Sequence, residues 1–115
     1  MNVNNIFLKK PIPVIFGIKG IKLNKQEKVF FKKSNPLGFI LFERNCKSFS
    51  QTKSLIKDLK KITSHKHTLI MIDQEGGRVA RLKNPHWNKY PSAHFFGKKA
   101  EQNLSLAKRL VLKNA

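Results

Sequence analysis

The sequence is poor in acidic residues. It has 24 Lys and Arg against 6 Asp and Glu, which gives a formal net charge of +18 at pH 7. Such an excess is typical of proteins that bind nucleic acid or an anionic membrane surface. The basic residues are spread along the whole chain, however, and are mostly Lys rather than the Arg that binds phosphate and guanine in a bidentate manner. A solvated basic surface is therefore the favoured interpretation, and nucleic-acid binding is kept as an alternative.

Cysteine and long apolar runs are also scarce. The single cysteine, Cys46, excludes an internal disulfide and fits a reducing, cytoplasmic compartment, and we expect a small buried residue there rather than a nucleophile. No segment approaches the ~18 apolar residues of a membrane span. The apolar patch at residues 12–18 is interrupted by Pro13 and has no small-residue cleavage site after it, so no signal peptide is predicted.

Three short apolar runs predict strands, at residues 13–18, 37–42 and 68–72. The first is expected to be buried on both faces, and the third is expected to be buried as well. A polar stretch with Gly, Pro and one Trp, from residue 74 to about 97, is expected to be a long loop.

Helices are predicted between these strands. Asn24 and Glu27 have capping-box spacing before an apolar segment, and Ser48 and Gln51 repeat that spacing. A third helix is predicted over residues 99–113. The stripe that defines the second helix consists of Leu55, Ile56, Leu59 and Ile62.

Strands that are nearly continuous apolar runs, alternating with helices, predict a single α/β domain with a parallel sheet. Three βα units of this kind leave sheet edges unpaired and apolar strand faces only partly covered. The sequence therefore indicates that further strands, from the same gene or a partner, complete the sheet.

The most informative segment is DQEGGRVARL at residues 73–82, which begins where the third predicted strand ends. In parallel α/β folds this end of a strand is the ligand-binding edge. An ionised Asp73 can accept hydrogen bonds from paired sugar hydroxyls, and Arg81 can donate in a fork. Equally, the segment can be a structural turn in which Arg78 or Arg81 pairs with Asp73 or Glu75. The residues alone leave both interpretations open.

This ten-residue segment resembles the signature of family 3 glycoside hydrolases, most closely the bacterial β-N-acetylhexosaminidases. Three more segments agree in order and spacing: GFILFERN at residues 38–45, the Gly20, Leu23 and Glu27 pattern, and YPSA at residues 90–93. The resemblance runs from about residue 14 to the end of the chain. It implies that residues 1–115 are the N-terminal part of a TIM-barrel domain, with the first three βα units of a (β/α)₈ barrel.

The resemblance also implies a function. The family hydrolyses terminal β-linked N-acetylglucosamine with retention, through an Asp nucleophile and a His on a mobile loop. For a cytoplasmic protein of peptidoglycan recycling, the substrates are cell-wall fragments containing N-acetylglucosamine, with no metal, cofactor or membrane partner. Asp73 and Arg81 match residues that bind the sugar. The only other Asp is Asp58, on a helix, so no catalytic residue is assigned and the chain alone is expected to be inactive.

Two positions depart from the family pattern. Gly17 stands where many relatives have an acidic residue at the end of the first strand, which puts in doubt one support of the sugar pocket or of the barrel bottom. Glu43 replaces a small polar residue, without an expected consequence for the chemistry.

Other candidate residues have ordinary explanations. His65 and His67 lack a third metal ligand nearby, so surface histidines are expected. Glu75 can be a general acid or a member of a structural ion-pair network. Trp87 and Tyr90 can stack on a sugar ring or pack the long loop.

Overall fold

A computed structural model describes residues 10–114 of the chain. Residues 1–9 and Ala115 lie outside the described residues. The prediction that the N-terminus is not a signal peptide falls partly on residues 1–9. The chain divides into two compact units at Ile72. The first unit comprises the described residues 10–72, and the second unit comprises residues 73–114.

The first unit alternates strands and helices. Its elements are β1 (Ile12–Gly17), α1 (Lys25–Ser34), β2 (Pro36–Leu41), a 3₁₀ turn (Glu43–Asn45), α2 (Phe49–Ile62) and β3 (Leu69–Ile72). The three strands form a parallel sheet in the order β1-β2-β3. The predicted α/β fold with a parallel sheet is thus confirmed, with strand bounds shifted by one residue for β1, β2 and β3.

The core of the first unit lies against the central strand. Phe39 on β2 is 0% exposed and meets Phe31 of α1 edge to face, with ring centroids 4.9 Å apart. From α2, Leu55 and Leu59 are buried at the spacing of the predicted stripe. The Phe31–Phe39 contact therefore packs α1 against the central strand, and α2 adds two buried aliphatic side chains to the core.

The edge strands are more exposed than predicted. Ile12 and Val14 on β1, and Leu69 and Met71 on β3, all count among the exposed apolar residues. The predictions that the first strand is buried on both faces and that the third strand is buried are therefore wrong. β1 has one neighbouring strand, whereas β2 has two, and an edge strand has fewer atoms packed around it.

Side-chain caps begin both helices of the first unit. Asn24 accepts from the Glu27 backbone N–H at 2.8 Å, and Glu27 accepts from the Asn24 backbone N–H at 3.0 Å, which confirms the capping box. Ser48 caps α2, but the Gln51 side chain accepts from the Lys47 backbone N–H, one residue before the cap. The spacing therefore predicted the helix start correctly and the reciprocal bond wrongly.

The second unit begins with a hairpin and ends with two helices. Its elements are β4 (Gln74–Gly76), β5 (Val79–Ala80), α3 (Ala93–Gln102) and α4 (Leu104–Asn114). The predicted loop thus contains an antiparallel pair, and the single helix predicted over 99–113 is wrong. Ser92 caps α3 well before residue 99, and Asn103 divides the helices because its side chain accepts from the Leu106 N–H at 2.9 Å.

Within residues 10–114, no helix has the length and apolar character needed to cross a membrane. Cys46 is buried, as expected, at 7% exposure. Burial raises the pKa of its thiol, and a hydrogen bond with Thr52 offsets part of that rise. Because the thiolate is the nucleophilic form, this environment disfavours reactivity.

Candidate functional site

The signature segment folds as a tight hairpin directly after β3. β4 and β5 pair antiparallel, with Gln74 opposite Ala80 and Gly76 opposite Val79. Gly76, the last residue of β4, and Gly77, the first residue of the turn, have φ values of 85° and 59°. These left-handed conformations are unfavourable for residues with a Cβ, which explains the two adjacent glycines.

A second segment packs on this turn. The Gly77 N–H donates to the Tyr90 carbonyl at 2.9 Å, and a Cβ at Gly76 would collide with the Pro91 carbonyl oxygen. A Cβ at Gly77 would lie 2.8 Å from the Cβ of Ser92, the N-cap of α3. The hairpin, residues 90–92 and the start of α3 therefore form one packed structure.

Gln74 connects the two arms of the hairpin through its side chain. Its Oε1 accepts from the backbone N–H groups of Arg81, at 2.9 Å, and Leu82, at 3.0 Å. Its Nε2 donates to the Leu82 carbonyl at 3.1 Å. One amide group thus satisfies three backbone groups at the point where the chain leaves β5.

Asp73 and Arg81 lie together across the base of the hairpin. An Arg81 guanidinium nitrogen is 3.7 Å from Asp73 Oδ2, and the two side chains are 31% and 48% exposed, respectively. This separation is longer than a hydrogen bond, so the two groups form an ion pair only, and partial exposure leaves the Asp73 oxygens and the terminal Arg81 N–H groups accessible. Arg81 Nε is buried without a hydrogen-bond partner among the described residues. The structure therefore brings the two predicted sugar-binding residues together.

The remaining polar candidates of the hairpin are exposed. Glu75 and Arg78 both face solvent near the turn. Tyr90 is 41% exposed, and Trp87 is half-buried with its ring edge to face with His86. Both interpretations of the two aromatic residues, stacking on a sugar or packing the loop, stay predictions.

In the first unit, the residues after β2 hold the loop that follows β1. Arg44 donates to the Ile18 carbonyl through Nε at 3.2 Å and through a terminal nitrogen at 3.0 Å. Asn45 is 0% exposed and donates to the carbonyls of Ile18 and Gly20, at 3.2 and 2.8 Å. Its Oδ1 accepts from the Phe42 N–H at 2.8 Å. Sequence reasoning quoted Arg44 and Asn45 for the resemblance but missed this role, because backbone carbonyls leave no trace in a side-chain pattern.

Gly17 lies beside this cluster. A Cβ at Gly17 would lie 3.4 Å from the Phe42 ring and 3.8 Å from a guanidinium nitrogen of Arg44. An acidic side chain at this position would therefore approach Arg44. With glycine, the Arg44 guanidinium lies over the Phe42 ring, 4.6 Å from its centroid, and donates to backbone instead.

The histidines have contacts or exposure that fit ordinary surface residues. His65 Nε2 is 2.8 Å from the Pro36 carbonyl oxygen, and His67 is exposed. In the described part of the chain, no three His, Cys, Asp or Glu residues form a group that could hold a metal ion. Glu43, the other departure from the family pattern, is exposed in the 3₁₀ turn.

The comparisons confirm the resemblance to family 3 glycoside hydrolases. The chain is similar to a family 3 β-N-acetylglucosaminidase of Paenibacillus, with a TM-score of 0.64 and 29% identity, over 72% of this chain and 16% of that one. No family model matches the chain.

Two curated proteins named β-hexosaminidase and a solved NagZ structure are also similar to the chain. The β-hexosaminidase of Psychromonas ingrahamii is 37% identical over 81 residues, which are 70% of this chain and 23% of the relative. The β-hexosaminidase of Photobacterium profundum is 34% identical over 97 residues, which are 84% of this chain and 28% of the relative. NagZ of Neisseria gonorrhoeae, solved with N-trifluoroacetyl-D-glucosamine, has a TM-score of 0.79 at 28% identity, over 86% of this chain and 29% of that one. The chain thus spans about a quarter of the length of the curated relatives it matches.

Proposed function

We propose that residues 1–115 are the N-terminal part of a (β/α)₈-barrel domain and provide its first three βα units. The parallel order β1-β2-β3 and the helices α1 and α2 between consecutive strands support this proposal. So do the exposed apolar residues on β1 and β3, because further strands of a barrel would cover them. The missing strands would come from the rest of the gene or from a partner chain.

We infer that the complete protein is an exo-acting, retaining β-N-acetylhexosaminidase. Its substrates would be cell-wall fragments with a terminal β-linked N-acetylglucosamine, and its place the cytoplasm, in peptidoglycan recycling. The Neisseria structure with an N-acylglucosamine derivative supports this class of ligand. The nucleophile and the acid/base would lie outside this chain, so we expect no hydrolysis by the chain alone, because hydrolysis requires these groups to be held together.

The observation that carries this proposal is the Asp73–Arg81 pair beside the glycine hairpin. In the proposed role, the Asp73 carboxylate accepts hydrogen bonds from vicinal sugar hydroxyls, and Arg81 donates to a sugar oxygen. Charge-assisted hydrogen bonds of this kind are about twice as strong as neutral ones. Half exposure of Asp73 keeps its oxygens accessible, and the Arg81 guanidinium places a positive charge beside them.

A sugar titration tests the assigned residues. N-acetylglucosamine is added to the ¹⁵N-labelled chain, and binding is followed by the amide resonances of residues 73–82. Asp73→Asn and Arg81→Gln should each weaken binding at least about tenfold, since each removes a charged hydrogen-bonding partner. Asp58→Asn and Arg78→Gln are matched controls, because both side chains are exposed and outside the pair. Equal effects in all four variants would contradict the assignment.

A chimera tests the proposed activity. The matching segment of the Psychromonas β-hexosaminidase is replaced by this chain, and hydrolysis of a chromogenic N-acetyl-β-glucosaminide is measured. We expect activity in the chimera, a loss of at least about tenfold in kcat/KM with Asp73→Asn, and no loss with Asp58→Asn. A folded chimera without activity would favour a non-catalytic βα module.

Nucleic-acid binding is the second candidate. Lys53, Lys57 and Lys60 follow each other at i, i+4 and i+7 on α2 and are exposed, so one side of this helix is basic. Binding to a single-stranded DNA homopolymer should then weaken linearly with the logarithm of salt concentration. Replacing these three lysines by Gln should reduce that slope more than replacing Lys83, Lys89 and Lys98. Equal slopes would indicate that the general charge of the chain, and not this side of α2, is responsible for DNA binding.

A further inference from the structure

Gln74 is the polar residue of the signature segment for which the sequence offered no role. It lies between Asp73 and Glu75, both exposed, yet its own side chain is half-buried and turned toward the opposite arm of the hairpin. Three hydrogen bonds of 2.9 to 3.1 Å join its amide group to the backbone of Arg81 and Leu82. No other contact of the hairpin fixes the backbone of Arg81 through a side chain among the described residues.

This bonding pattern has a positional consequence. The β4–β5 pairing ends at Gln74 and Ala80, so Arg81 lies one residue beyond the last paired position. Backbone beyond the end of a ladder is free to change its φ and ψ angles unless other bonds hold it. Because the Gln74 side chain accepts from the Arg81 N–H, it sets the direction in which the Arg81 side chain leaves the hairpin.

The result is the placement of the guanidinium. The Arg81–Asp73 distance of 3.7 Å depends on a long, flexible side chain that makes no hydrogen bond to Asp73. Arg81 Nε is buried and has no hydrogen-bond partner within residues 10–114. A held backbone at Arg81 therefore favours the ion-pair position of the guanidinium beside Asp73. Its terminal N–H groups make no hydrogen bond to Asp73 and remain available to a ligand.

We propose that Gln74 is a positioning residue for Arg81, and that it orients the guanidinium toward the sugar bound at Asp73. This inference rests on the proposed function and deepens it, since it assigns to Gln74 a role in affinity without contact with the sugar. Preorganised side chains bind more tightly because less conformational freedom is lost on binding.

Two variants separate the bonds that Gln74 makes. Gln74→Leu has similar volume and removes all three hydrogen bonds. Gln74→Glu keeps an oxygen that can accept from the Arg81 and Leu82 N–H groups but loses the donor to the Leu82 carbonyl. Gln102→Leu, on an exposed position of α3, is the matched control in the same unit.

The first measurement is amide hydrogen exchange of Arg81 and Leu82 in the 115-residue chain, without sugar. Gln74→Leu should accelerate exchange at both amides at least about tenfold, which corresponds to the loss of one net hydrogen bond at each. Gln74→Glu should restore protection at both, and Gln102→Leu should leave it unchanged. Unchanged exchange in Gln74→Leu would overturn the proposal.

The second measurement is the N-acetylglucosamine titration, followed by the Arg81 Nε–H resonance. Gln74→Leu should weaken binding about three- to tenfold, and Gln74→Glu should recover most of the affinity. Weakening in Gln74→Leu without recovery in Gln74→Glu would overturn the positioning role, because it would indicate general damage to the hairpin. If the unmodified chain shows no sugar binding while exchange responds as expected, the proposed function fails and the hydrogen bonds to Arg81 are still confirmed.

Discussion

The two units are stabilised by different kinds of contact. In the first unit, Phe39, Leu55 and Leu59 are buried almost completely, so large apolar side chains provide the packing. In the described part of the second unit, the buried residues are small, namely Gly76, Ala80 and Ala107. Its order comes instead from a glycine turn, side-chain caps and the Gln74 bonds to backbone. Stability in the first unit therefore depends on the buried volume of apolar side chains, and in the second on backbone conformation.

The candidate site lies in the second unit, whereas the large buried side chains lie in the first. Asp73 and Arg81 belong to the unit with little buried volume, where a polar pair remains accessible. Local opening costs less where few apolar contacts are broken.

The largest effect is expected for Phe39→Ala. Phe39 is 0% exposed and packs against Phe31, so its truncation leaves a cavity in the centre of the first unit. We expect a loss of about 3 to 5 kcal/mol in the free energy of unfolding, measured by urea titration with far-UV circular dichroism. Val29→Ala, at a position 70% exposed on α1, should change it by less than about 0.5 kcal/mol.

Asn45→Ala should follow, with a loss of about 3 kcal/mol. The substitution leaves the Phe42 N–H and the Gly20 carbonyl without their buried partner, whereas Ile18 keeps its bonds from Arg44. The matched control is Asn24→Ala, which removes an exposed helix cap and should cost about 1 kcal/mol in the same urea titration. Equal losses would show that the buried amide is no more important than a cap.

Gly76→Ala tests the second unit. Its φ of 85° is unfavourable for alanine by about 1 to 2 kcal/mol, and the new Cβ would also displace the Pro91 carbonyl. We expect a loss of at least about 2 kcal/mol, followed by the fluorescence of Trp87, the single tryptophan of the chain. Gly97→Ala, within α3 and with nothing within 4 Å of the new methyl group, should stabilise by about 0.5 to 1 kcal/mol.

The contrast between the units explains what sequence reasoning could predict. The elements of the first unit follow from apolar runs and capping spacings, as at Asn24 and Ser48, because burial imposes a period on the sequence. The hairpin of the second unit has strands of three and two residues, too short for any period to show. Asn103 was missed as a helix boundary because apolar residues continue at helical spacing on both sides of it.

For the candidate site, the resemblance supplied two residues but not the bonds around them. Asp73 and Arg81 came from the resemblance, and the structure brings them together, while their roles in sugar binding stay predictions. The bonds made by Gln74 and Asn45 could not be predicted, because both side chains bond to backbone groups that every residue carries. Only the fold determines which of those groups lies within reach.

A smaller effect on stability is expected for Arg81→Gln. An ion pair of 3.7 Å between partly exposed groups contributes up to about 1 kcal/mol, so the Trp87 unfolding transition should move little. Arg78→Gln, on the exposed turn, should be neutral within about 0.5 kcal/mol. A loss above about 2 kcal/mol for Arg81→Gln would favour the interpretation in which the pair holds the turn rather than binds a sugar.

The smallest effect concerns Cys46 and pH. Burial raises the pKa of its thiol in the folded chain, so the folded state retains a proton that the unfolded state releases first. The stabilising contribution is therefore complete below the pKa of the unfolded thiol and is lost as the pH rises through the folded value. Cys46→Ser should remove this decline at alkaline pH in urea titrations.

The same burial of Cys46 predicts that a disulfide reagent labels the folded chain at least about tenfold more slowly than the urea-unfolded chain at pH 8. Equal rates would show that the first unit opens around Cys46 as readily as an unpacked loop, and the contrast between the two units would then fail.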